Sequence, residues 1–163
     1  MTAARQQRKS RLVLAALLVS YGIMIPSAWP ASAREPMVVN AQTGLAISGF
    51  DPVAYFVDAK PGFGRPDLEL RQDHIVWRFR NEGNREAFAD HPEVYTPRFG
   101  GYDPVAIARG VSVQGHPLFW VVHGERLYLF YDDKARAAFI AQPTRFIEAA
   151  ERKWPTVAHD ALR

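Results

Sequence analysis

The sequence predicts an α+β domain built from two pseudo-repeated units, each an antiparallel β-hairpin followed by a short helix, with an amphipathic helix at the C-terminus. Three observations predict it. Gly49-Phe50-Asp51-Pro52-Val53-Ala54 returns 52 residues later as Gly101-Tyr102-Asp103-Pro104-Val105-Ala106, with five positions identical and the sixth aromatic in both. Downstream, an offset of 51 pairs Trp77 with Tyr128, Phe79 with Phe130, Arg85 with Arg136, Phe88 with Phe139, Pro92 with Pro143 and Tyr95 with Phe146. Within each copy, the hydrophobic pattern changes from alternation to a spacing of three to four residues. Two copies are too few for a solenoid, so they are expected to pack as a pseudo-symmetric pair on a shared core.

The chain opens with an address. Arg5, Arg8, Lys9 and Arg11 precede an apolar run, Leu12 to Ile25, and the small residues Ala31-Ser32-Ala33 follow. This is the order of a secretory signal, with cleavage expected after Ala33 and a periplasmic or secreted product. The run is 14 residues long, short of the roughly 20 that a membrane span requires, so no stable span is expected after cleavage. Residues 34–44 then read as an N-terminal extension.

In the first unit, about 49–100, Asp58 to Pro66 has the glycine and proline content of an exposed loop. Leu68 and Leu70 precede a polar turn at Gln72-Asp73, after which Ile75, Trp77 and Phe79 alternate with Val76, Arg78 and Arg80. That period marks a half-buried strand. Asn81 is placed to cap the helix that follows, and Pro92 ends it by forcing His91 out of the helical region. In the second unit, about 101–154, Leu118–His123 and Arg126–Tyr131 flank Gly124-Glu125, a two-residue hairpin signal. Asp132 is the matching cap, and Gln142-Pro143 the matching stop. Phe146, Ile147, Ala150 and Trp154 form the stripe of the last helix, which Pro155 is expected to end, leaving residues 156–163 as a tail. The aromatic core expected from this spacing is Tyr55, Trp77, Phe79, Phe88, Tyr95, Phe119, Trp120, Tyr128, Phe130, Phe139, Phe146 and Trp154.

Composition removes several function classes. The formal charge of +3 comes from the first 33 residues: they hold four of the 20 Lys+Arg and none of the 17 Asp+Glu, leaving 16 against 17, a net of −1. A domain of that charge has no basic footprint for nucleic acid, and Arg78 and Arg80 fit the solvated face of a strand. With no cysteine, the chain has no disulfide, thiolate metal site or thiol nucleophile. There is no G-x-S-x-G elbow, no HExxH and no phosphate-binding loop in a strand-loop-helix context. Nothing in the residue pattern supports an enzyme, so no catalytic residue is assigned.

The landmarks Ile47-Ser48-Gly49-Phe50-Asp51-Pro52-Val53-Ala54-Tyr55-Phe56, Arg80-Asn81-Glu82-Gly83-Asn84-Arg85-Glu86-Ala87-Phe88, Asp90-His91-Pro92-Glu93-Val94-Tyr95 and Phe99-Gly100-Gly101-Tyr102 resemble the YHS domain and the exported bacterial proteins that carry it. The resemblance extends over about residues 45–155. In metal-handling members it implies cysteines at the positions of Ala54, Arg80 and Asn84 here, and of Ala106, Tyr131 and Ala135 in the second copy. None of these residues can bind a soft metal, so the family's thiolate role does not carry over. In related exported proteins the resemblance also implies a cysteine where Asp103 stands.

The expected function is therefore a non-catalytic exported YHS-like module that binds a small ligand or an envelope protein, with no cofactor. The candidate ligand-binding residues are Asp51, Tyr55, Tyr102, Asp103, His116 and Trp120. An alternative is an oxygen/nitrogen metal site drawing on Asp51, Asp103, His74 and His116, if the pseudo-twofold brings the two Asp-Pro motifs together. A hydrolase-like enzyme is a further alternative.

Overall fold

The computed structural model describes residues 36–72 and 74–162. The expected leader, its cleavage point at Ala33 and the turn residue Asp73 lie outside the described residues. Two antiparallel two-stranded sheets and six helices make the domain α+β. In chain order they are α1 (Ala54–Val57), β1 (Arg65–Gln72), β2 (Ile75–Phe79), α2 (Glu82–Asp90), α3 (Pro92–Tyr95), α4 (Pro104–Ile107), β3 (His116–His123), β4 (Arg126–Phe130), α5 (Asp133–Ala141) and α6 (Pro143–Ala161).

The duplication is repeated in the backbone. A left-handed 3-10 turn opens each copy, with positive φ at Ile47, Ser48 and Gly49 and again at Phe99, Gly100 and Gly101. Non-glycine residues in this region cost about 1 kcal/mol each. Ile47 and Phe99 are held there by burial in the core. The next residues fold back alike: Asp51 N donates to Gly62 O at 2.8 Å, and Asp103 N to Val113 O at 2.9 Å. Gly64 N–Gly49 O and Gly115 N–Gly101 O are both 2.9 Å. Glycine is required at both closing positions, because a Cβ at Gly64 would overlap the Arg78 backbone and one at Gly115 would sit 2.6 Å from Leu129 Cβ. Each hairpin carries a register shift at the same place, Arg65/Glu69 and His116/Trp120.

The expected caps form. Asn81 accepts from Asn84 N at 2.8 Å and Asp132 from Ala135 N at 2.7 Å, both from extended backbone. His91 and Gln142 leave the helical region at φ −138° and −146°, ending α2 and α5 before their prolines.

Two expectations are corrected. The copies do not share one core: there are two, and the β3–β4 hairpin lies between them. Leu127 and Leu129 join Ala46, Ile47, Phe50, Val53, Tyr55, Leu68, Trp77, Phe79 and Phe88. Tyr128 and Phe130, on the opposite face of β4, join Phe99, Tyr102, Val105, Ile107, Phe139, Ala150, Trp154 and Val157. A strand covered on both faces becomes a continuous apolar run, and Leu127-Tyr128-Leu129-Phe130 is one. Tyr95, Phe119, Trp120 and Phe146 from the expected core are only partly buried and pack at its margins.

The second correction is at Pro155, which does not end α6. The helix continues to Ala161 because Val157 is buried and Ala158 and Ala161 pack on the second core. An interior proline costs about 3 kcal/mol through its missing N–H and ring clash. Burial of Trp154 and Val157 on either side offsets it, at about 1.5–3 kcal/mol for a side chain of Val size. Among the described residues, no helix is long and apolar enough to cross a membrane.

Candidate functional site

Three polar or charged residues are buried among the described residues: Asp51, Asn84 and Asp103. The two aspartates occupy the same place in their copies and are held by the same donors. Asp51 Oδ1 accepts from Val53 N at 2.8 Å and Ala54 N at 3.3 Å, while its Oδ2 accepts from Arg80 N at 2.8 Å. Asp103 Oδ1 accepts from Val105 N at 2.8 Å and Ala106 N at 3.4 Å, and its Oδ2 from Tyr131 N at 3.0 Å. In each copy one carboxylate thus ties the Asp-Pro turn to the end of the second strand.

The copies then diverge. In the first, Asn84 Nδ2 donates to Asp51 Oδ2 at 2.6 Å, and the Arg80 side chain folds over to pair with Asp58. In the second, the counterpart of Asn84 is Ala135, which has no polar atom to offer, and the counterpart of Arg80 is Tyr131, whose side chain is exposed. The space left is a cleft of about 310 Å³ lined by Asp103, Ala106, Arg109, Tyr131, Lys134 and Ala135, among others. Among the described residues neither Arg109 nor Lys134 forms an ion pair. Burial pushes the Asp103 carboxyl above the usual carboxylate range; its backbone donors pull in the opposite direction, and nearby Asp132 adds to the rise.

The other sequence candidates fall elsewhere. Tyr55 is buried in the first core, donates its hydroxyl to Pro117 O at 3.0 Å and meets Trp120 edge-on at 5.3 Å. Desolvation, with Asp51 adding to it, pushes its phenol well up. Asp51 and Tyr55 are therefore packed interior with their side-chain oxygens engaged, and the partly buried Trp120 packs against Tyr55 at the margin of the first core. Tyr102 belongs to the second core, 5.9 Å from the Trp154 ring. His116 is exposed, its Nδ1 accepting from Leu118 N at 3.2 Å. His74 is an exposed turn residue at φ +68°.

The proposed Asp51/Asp103/His74/His116 metal set does not assemble. Among the described residues no three His, Asp or Glu side chains group as metal ligands. The physical reason is that each aspartate spends its oxygens on N–H donors of its own copy instead of turning toward the other. Arg78 on β2 is paired with Glu69 of the neighbouring strand at 2.9 Å.

Sequence reasoning singled out Asp103, and the resemblance marked Ala106, Tyr131 and Ala135 as corresponding site positions, but it missed Arg109 and Lys134 as lining of the cleft. The signal was present in the repeat, as the one buried position where a polar residue in the first copy faces alanine in the second.

A second cleft, of about 370 Å³, lies among Phe56, Val94, Tyr95, Gly124, Glu125 and Arg126. It holds no buried polar residue, and the Arg126 guanidinium is engaged with Glu93 O. Comparison with known proteins adds no name to either cleft: no family model, curated protein or solved structure matches the chain.

Proposed function

We propose that this protein is an exported, non-catalytic YHS-like binding module, and that the cleft beside Asp103 is where it takes a small ligand. One observation carries the reading: both aspartates are buried, but Asp51 holds a side-chain donor from Asn84, whereas Asp103 faces Ala135 at that position and borders a cleft. A duplicated fold that closes one of two equivalent sites and keeps the other open has a use for the open one. At about 310 Å³ the cleft falls at the lower end of small-molecule sites, which favours a small ligand over a protein segment.

The resemblance to the YHS domain gains spatial support as well. Ala54, Arg80 and Asn84, the positions where it implies thiols, all reach Asp51 through a backbone or side-chain donor. Ala106 and Tyr131 reach Asp103 in the same way, and Ala135 lines the cleft beside it. Positions far apart in sequence thus meet at one point in each copy, as a ligand site of that family requires. With a carboxylate and no thiols at that point, the chemistry is hydrogen bonding to an organic ligand. Asp103, Tyr131 and Lys134 serve to hold the ligand, so turnover of any ligand counts against this reading.

A thermal-shift screen of small organic molecules tests the reading, run in parallel on the wild type and on Ala135→Asn, which refills the cleft. Hits are expected to raise the wild-type Tm and to lose that effect in the variant. Hits that stabilise both proteins equally, or that are consumed by the wild type, would contradict it.

A further inference from the structure

We infer that the ligand of the Asp103 cleft carries a primary carboxamide, which takes on Asp103 Oδ2 the place that the Asn84 side chain takes on Asp51 Oδ2, and carries a carboxylate beyond it. The inference rests on the cleft being the ligand site and adds the chemistry of what enters it.

The first copy supplies the template. Asn84 is the third residue of α2, its backbone N–H bonded to the Asn81 cap, and its carboxamide lies buried on Asp51 Oδ2 at 2.6 Å. Ala135 is the third residue of α5, its N–H bonded to the Asp132 cap in the same way, so its Cβ starts from the equivalent point. The aspartate is presented by the same backbone donors in both copies. What the cleft lacks, relative to the first copy, is one neutral N–H donor on Oδ2 and the carboxamide carbon that carries it. A carboxamide restores both. It also suits a carboxyl that is already short of solvent, because a neutral donor brings no second charge to desolvate.

The charged lining specifies the other end. Arg109 and Lys134 line the cleft together with Asp103 and Asp132, and among the described residues neither cation is ion-paired. Both carboxylates are already held by backbone N–H groups, Asp103 by Val105, Ala106 and Tyr131 and Asp132 by Ala135, so a ligand that donates to Asp103 and carries its own negative charge answers the two cations. A carboxamide separated from a carboxylate by two or three carbons has that form.

Isothermal titration of the purified protein with succinamate, propionamide and succinate tests this directly. Succinamate is expected to bind tightest, propionamide more weakly, and succinate at least about tenfold more weakly than succinamate, since one hydrogen bond to a charged group contributes about that factor or more. Ala135→Asn is expected to reduce succinamate binding at least about tenfold while the protein remains folded. In Asn84→Ala, propionamide is expected to recover part of the lost Tm by filling the vacated place on Asp51, and propionate is not. Should Asn84→Ala fail to fold, the titrations of the wild type and Ala135→Asn decide the matter alone.

Succinate binding as tightly as succinamate, with both lost in Ala135→Asn, would overturn the carboxamide and leave the cleft as a site. Succinamate binding that survives Ala135→Asn would overturn both. No succinamate binding to the wild type would overturn the inference, and the thermal-shift screen would then judge the cleft separately.

Discussion

Replacing each buried aspartate by asparagine separates the two copies energetically. Asp51 accepts four hydrogen bonds, two on each oxygen. An asparagine at this position keeps one acceptor oxygen and turns an NH2 group toward one pair of donors. If the oxygen stays with Val53 N and Ala54 N, the NH2 faces Arg80 N–H and Asn84. Asn84 can invert its amide and accept, but the backbone N–H of Arg80 cannot change sign. One orphaned donor costs about 1–3 kcal/mol, and exchanging carboxylate for neutral acceptors weakens the remaining bonds by about 1 kcal/mol in sum. The expected total for Asp51→Asn is about 3 kcal/mol, or roughly 12 °C in Tm for a domain of this size. At Asp103 the same change orphans only Tyr131 N–H, which borders the open cleft and can be reached by water, so about 1–2 kcal/mol is expected. Chemical denaturation followed by circular dichroism reads both values. If Asp103→Asn costs as much as Asp51→Asn, the access of water to the Tyr131 N–H through the cleft is refuted.

Further expectations follow from the same contacts. Tyr55 has its phenol raised by burial, so its folded pKa exceeds the unfolded value of 10.0; its contribution is fully present below pH 10 and is lost as pH rises from there toward the folded pKa. Tyr55→Phe should remove that part of the alkaline unfolding, visible in pH titrations of stability, while costing about 1 kcal/mol at neutral pH for the lost bond to Pro117 O. Gly64→Ala and Gly115→Ala should each destabilise by about 3 kcal/mol, because the new methyl meets backbone or Cβ of the opposite strand; a near-neutral denaturation midpoint for either would refute that close approach. Val157→Ala should cost about 2 kcal/mol if α6 runs on into the second core beyond Pro155, and a change within 0.5 kcal/mol, as at ordinary surface positions, would place Val157 outside it.

What the sequence disclosed depended on whether the determinant was local. The caps Asn81 and Asp132, the Gly124-Glu125 turn and the two X-Pro stops act through the next few residues, and each was readable. Pro155 does not end the helix because its local effect is overridden by the burial of Val157 in a cluster whose other members include Phe99, Tyr102 and Tyr128, far away in the chain. Phe50, Phe99 and Tyr102 were missing from the expected core because they sit in turns, where neither strand nor helix periodicity applies. The single-core expectation made no use of the run Leu127 to Phe130, apolar at every position, which marks a strand covered on both faces. The site was half legible. Repeats draw attention to what is identical, which led to Asp51 and Asp103, whereas the open cleft comes from what differs, Asn84 against Ala135.

The pairing of a closed first site with an open second one can be read amide by amide. In a 15N–1H correlation titration with succinamate, the Val105, Ala106 and Tyr131 amides that hold Asp103 are expected to shift, together with Ala135. Their counterparts Val53, Ala54, Arg80 and Asn84 are expected to stay in place. Shifts confined to the first copy, or to Tyr95, Gly124 and Arg126 around the other cleft, would contradict the assignment of the Asp103 cleft as the ligand site.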